Sequence, residues 1–84
     1  MKNAPLKTQQ GSVSRPLVQK YVNMSQSGSQ APAIKVDKGI IVDGNHRYIA
    51  GRIVGIEPAQ IAWAGGNPAR IVPWDKVIIS PLLW

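Results

Sequence analysis

Asp43-Gly44-Asn45-His46-Arg47 is the one run in this 84-residue chain where chemically capable side chains crowd together. His46 is the only histidine. An imidazole can accept or donate a proton near neutral pH, and a guanidinium can grip a phosphate with two parallel N–H bonds. The carboxylate of Asp43 stands beside them, able to orient His46, to hold a metal ion, or simply to cap a helix. The chemistry this set suits is phosphate recognition, with His46 as acid or base and Arg47 stabilising negative charge, while Asn45 can hydrogen-bond a ligand or sit in solvent.

The flanking pattern predicts how these residues are presented. Residues 40–42 (Ile-Ile-Val) form a short apolar run that reads as a buried strand. Asp43-Gly44 breaks it, and Ile49, Ile53 and Ile56 follow at helical spacing, with Gly55 where a helix C-terminus favours glycine. Strand, tight turn and helix therefore put Asn45, His46 and Arg47 in a first helical turn. Unpaired amides and the positive end of the helix dipole attract anions there.

The rest of the chain supplies a scaffold. Residues 1–12 are polar, without apolar period, and read as a partly disordered linker joining residues 13–84 to a longer protein. Ser14-Arg15-Pro16 signals a helix start, Val13 and Val18 have the spacing of a hydrophobic staple, and Gly28 stops the helix. Residues 33–36 and 40–42 read as a hairpin around a three-residue Asp37-Lys38-Gly39 turn with a bulge-type glycine. Residues 59–63 and 77–79 read as a third and fourth strand, on either side of a loop rich in turn formers and a single helical turn at residues 73–76. The order predicts a small two-layer α+β domain, two helices on a small mixed sheet.

Composition narrows the partners. Ten Lys and Arg against four Asp and Glu give a net charge of +6, which suits nucleic acid, a nucleotide or an acidic protein. There is no cysteine, hence neither disulfide nor thiolate chemistry. No apolar run is long enough for a transmembrane segment, and the N-terminus lacks a signal-peptide core. One histidine and four scattered acids cannot fill a zinc site, but Mg2+ shared by Asp43 and substrate phosphates needs few protein ligands.

The run Ile41-Val42-Asp43-Gly44-Asn45-His46-Arg47-Tyr48-Ile49-Ala50-Gly51-Arg52 resembles the phosphate-loop motif of the ParB/sulfiredoxin superfamily, a strand, a small-residue turn and a helix opening with Gly-x-His-Arg. The segment from Ser14 onward is most similar to the ParB-like domains at the C-termini of bacterial polymorphic toxins of contact-dependent inhibition systems. The resemblance spans about 70 residues, its specific part about a dozen. It implies a ParB/sulfiredoxin-like fold and a nuclease toxin. Such a toxin is delivered, secreted or from the cell surface, as part of a larger protein, acts in the target-cell cytoplasm and is held by a cognate immunity protein. It also implies that Gly44, His46 and Arg47 contact phosphate, with Asp43 holding a metal or orienting His46. Sulfiredoxins carry a cysteine between the glycine and the histidine. Asn45 stands there in this chain, so cysteine-based sulfinic acid reduction is excluded.

Three functions fit these residues: a nuclease using His46, Arg47 and Asp43; a nucleotide-binding phosphotransferase or NTPase on the same loop; and a noncatalytic basic binding module. Arg70, after the Gly65-Gly66-Asn67-Pro68 loop, is a candidate second phosphate clamp if that loop folds over the helix start. Arg52 reads as surface, and Tyr48, Trp63, Trp74 and Trp84 as core or partner contacts, with base stacking open to one of them.

Overall fold

The first helix begins where a serine can cap it. In the computed structural model, which describes residues 4–29 and 31–82, Ser14 is extended and its hydroxyl accepts the Leu17 amide at 3.3 Å. Helix α1 (Arg15–Gln26) follows, with Pro16 in the first turn, where its missing N–H costs nothing. Val13 and Val18, at staple spacing, line one shared apolar groove. Gly28, at φ 87°, ends the helix. Its amide and that of Ser29 return to the carbonyls of Ser25 and Met24, at 3.2 and 3.0 Å.

Strands β1 (Lys7–Thr8), β3 (Ile34–Asp37), β4 (Ile40–Asp43) and β5 (Gln60–Ala62) form a mixed sheet in the order β1-β4-β3-β5. Only β3 and β4 run antiparallel, while β1 on β4 and β5 on β3 are parallel. Strand β2 (Ser12–Ser14) pairs in parallel with β6 (Ile78–Ser80) in a separate two-stranded ladder. Helix α2 (Asn45–Val54) follows β4 and packs chiefly on α1. The molecule is thus a small α+β domain with two helices and a mixed sheet, as the sequence pattern predicts.

Its core is Leu6, Ile34, Ile41 and Tyr48, with Val36 and Trp74 packed against them. Tyr48 and Trp74 stack at 6.1 Å between ring centroids. Both rings also hold the Leu6 backbone: the Tyr48 hydroxyl accepts the Leu6 amide at 3.2 Å, and Trp74 Nε1 donates to the Leu6 carbonyl at 3.0 Å. Buried aromatics usually satisfy their polar tips in this way.

Several expectations need correction. Residues 1–12 read as linker, yet Leu6 is buried, Lys7–Thr8 is a sheet strand and Ser12 opens β2. Residues 1–3 of that stretch lie outside the described residues. The hairpin turn has two residues, not three: Lys38 and Gly39 both have positive φ, 55° and 74°, the geometry that matches the twist of paired strands. The irregularity sits inside the hairpin instead, between Lys35 and Val36. The fourth strand pairs with β2 and does not extend the main sheet. Leu83 and Trp84 of the apolar tail lie outside the described residues.

Thr8 is fully buried, and its hydroxyl donates to Asn45 Oδ1 at 2.6 Å and accepts the Gln10 amide at 3.1 Å. Thr8→Val keeps the shape and removes both bonds. It should lower unfolding free energy by about 1–3 kcal/mol, read from the urea midpoint at constant slope. A disordered linker at this position would leave the midpoint unchanged.

Candidate phosphate-binding site

Gly44 makes the turn from β4 into α2. It sits at φ 104°, and a Cβ there would collide with the Ile34 side chain and come within 2.8 Å of Arg47 Nη2. Both backbone strain and packing therefore require glycine. Gly44 is the N-cap and has no side chain with which to bond the helix start. Asp43, a capping candidate from sequence, lies one residue earlier.

The opening turn of α2 faces a cleft of about 880 Å³ lined by residues 10–12, Tyr21, residues 42–47 and Ile78. The amides of a first helical turn lack intrahelical partners, and the helix dipole adds positive potential at this end. Arg47 lines the same cleft with its side chain only 13 % exposed, and its Nη2 donates to Asp43 Oδ2 at 3.2 Å. Asp43 is 62 % exposed. The carboxylate thus engages the guanidinium.

The two residues between them turn inward. Asn45 is buried; Oδ1 accepts the Thr8 hydroxyl, and Nδ2 donates to Gln10 Oε1 at 3.1 Å. The Asn45 side chain, expected at the phosphate, instead holds the N-terminal strand. His46 Nε2 accepts the backbone amide of Ser14 at 2.9 Å. The neutral ring then carries its proton on Nδ1, and a proton can be taken at Nε2 only by releasing Ser14. Consistently, His46 is held below its ordinary pKa of 6.5, first by burial and then by the Arg47 guanidinium. The Ser14 bond therefore opposes proton transfer at Nε2, the nitrogen a general acid or base role for His46 would otherwise have open to it.

Asp43, Gly44, Asn45, His46 and Arg47 all line the cleft, and Arg70 does not. Arg70 is exposed at the end of the short 3-10 turn Pro68–Arg70. The preceding loop is held elsewhere: Gly66 donates to Asp37 Oδ2 at 2.9 Å, and Gln9 exchanges bonds with the Gly65 carbonyl and the Asn67 amide. Arg52 pairs with Glu57 at 3.2 Å. Among the described residues no group of three or more His, Asp or Glu side chains could hold a metal ion. Sequence reasoning missed Gln10, Ser12 and Tyr21 in the cleft wall. No local signal marks them, because chain folding brings them there from up to 37 residues away.

No protein-family model, curated protein or solved structure matches the chain. The lowered His46 pKa has a consequence for stability. Its unfolded value is near 6.5 and its folded value lies lower, so the unfolded chain binds more protons between the two. That contribution is present above pH 6.5 and is lost as pH falls through the window below it. Urea midpoints measured from pH 7.5 downward should decline earlier in the native protein than in His46→Gln, which keeps an acceptor for Ser14 but cannot titrate. Parallel pH curves would refute the lowered pKa of His46.

Proposed function

We propose that the domain binds phosphodiester groups of nucleic acid at the opening turn of α2 and cleaves them, as a ParB-like nuclease. The observation that carries this reading is the glycine-capped N-terminus of α2 in the wall of a cleft, with Arg47 beside it. The amides of Asn45, His46 and Arg47 would receive one phosphate, and the Arg47 fork would bind it and oppose the charge that develops on phosphorus. The net charge of +6 supports a polyanionic partner. The resemblance of residues 41–52 to the ParB/sulfiredoxin phosphate loop supports the fold family. It also supports the context: the C-terminal toxin domain of a larger bacterial protein, working in a target-cell cytoplasm and restrained by an immunity protein.

One observation favours a second reading, nucleic acid binding without cleavage. His46 Nε2 is engaged by Ser14, which leaves the site short of an obvious base. A magnesium ion held by Asp43 and substrate phosphates would supply one by activating water, at the cost of the Asp43–Arg47 pair. A gel assay separates the readings. Purified protein is incubated with duplex DNA, single-stranded DNA, total RNA and tRNA, with magnesium or with chelator. The nuclease reading expects one substrate class to be degraded, and Arg47→Ala to weaken substrate binding about 10- to 100-fold, the worth of a charged hydrogen bond to phosphate. Binding without degradation establishes the second reading, and binding that ignores Arg47→Ala refutes the site.

A further inference from the structure

A cation and an exposed indole lie beside the cleft on the main sheet. Asp43, in the cleft wall, is the register partner of Lys35 across the β3–β4 hairpin, and Lys35 is in turn the partner of Ile61 on β5. Lys35 Nζ stands 4.3 Å from the centre of the Trp63 ring, just beyond the end of β5. Trp63 remains 53 % exposed, and its backbone is fixed by a 2.9 Å bond from its amide to the Val36 carbonyl. Strand β5 is the edge of the sheet. From the cleft, then, the surface passes from Asp43 to Lys35 and on to Trp63, two strand spacings across and two residues along, about 12 Å, a distance a short oligonucleotide covers.

We propose that this strip extends the phosphate cleft into a binding path for single-stranded nucleic acid, in which Trp63 stacks on an unpaired base and Lys35 contacts the adjoining phosphate. The inference rests on the phosphate-binding reading of α2 and adds a substrate form to it. Bases in a duplex keep their π-faces stacked on one another, so an exposed indole on the sheet surface rewards only a strand whose bases are free. The ammonium of Lys35 covers part of the ring by a cation–π contact and steadies it, while the exposed remainder stays open to a base. The arrangement joins a backbone-tracking cation to an aromatic platform, the pairing by which proteins hold single strands without reading their sequence. The excess of positive charge on the chain fits the same partner.

The test is fluorescence anisotropy with labelled oligo(dT), oligo(U) and a duplex of matched length, on the full chain, at several salt concentrations. Native protein should bind either single strand more tightly than the duplex. Trp63→Ala should weaken single-strand binding about tenfold and leave duplex binding unchanged, the loss expected for one stacked base. Trp63→Phe should restore most of it. Lys35→Gln should lower the slope of log affinity against log salt by about 0.7, one phosphate contact on a single strand. Trp63 is exposed, and thermal melting of each variant shows that it folds. Single-strand affinity unchanged in Trp63→Ala, but lost in Arg47→Ala, overturns the stacking path and leaves the phosphate site standing. No binding of any nucleic acid by folded native protein overturns both.

Discussion

The side chains of Asn45 and His46 reach back to the N-terminal segment, and the joints between elements run through them. Asn45 takes the Thr8 hydroxyl and the Gln10 side chain, and His46 takes the Ser14 amide. Ser14 in turn caps α1 and donates its hydroxyl to the Leu82 carbonyl at 2.8 Å. One helical turn therefore ties β1, β2, α1 and the chain beyond β6 into a single unit. A chain of this size has a small apolar core and little margin, so such polar joints weigh heavily. Among the described residues every buried side-chain nitrogen and oxygen has a partner. That matters because an unmade bond in a buried site costs more than a made one contributes.

The same arrangement explains why the opening of α2 is left bare. A capping side chain at position 44 would need a Cβ, and Ile34 and Arg47 occupy the space it would take. Asparagine at position 45, the other residue able to bond nearby amides, is turned toward Thr8. The inward side chains thus leave the backbone amides of the turn as its outward chemistry. Structural and functional demands fall on different atoms of the same residues: side chains of Asn45 and His46 hold the scaffold, while their amides face the helix end.

Residues 40–55 were readable because their signals are local. An apolar run, an Asp-Gly break and a closing glycine all fall within 16 residues, and the structure follows them from β4 to Gly55 at φ 81°, although Ile53 is exposed and Ile56, also exposed, lies past the end of α2. Strand β1 was not readable, because its order comes from partners far along the chain. Lys7 and Thr8 pair with Ile40 and Ile41, and nothing in a polar stretch announces a parallel partner 33 residues on. The β2–β6 pairing, Val13 with Ile79, is longer still. Asn45 illustrates a second limit. A polar residue at a helix start looks the same in sequence whether it faces a ligand or the interior. Only the placement of Thr8 decides, and Thr8 itself was read as linker. Arg70 followed a loop whose direction was set by Asp37 and Gln9, neither of which the local pattern marks.

Arg47 is the point where scaffold and ligand compete. Its side chain is largely buried, yet its recorded ionic partner, Asp43, is mostly exposed. A pair with one member in solvent is worth at most about 1 kcal/mol, because water and salt screen it and the exposed side chain loses entropy to keep the contact. A phosphate seated on the α2 amides would meet the guanidinium at a site of lower dielectric, with fixed N–H donors already in place. It would therefore outbid Asp43 for Arg47 and free the carboxylate. Phosphate binding in the cleft and the Asp43–Arg47 pair would then be two aspects of one balance. The carboxylate neutralises a cation that the turn would otherwise hold against the positive end of its own helix, where a bare arginine is disfavoured. An anionic ligand relieves that conflict more fully than a solvated aspartate can, so occupancy of the cleft and the conformation of Asp43 are physically linked.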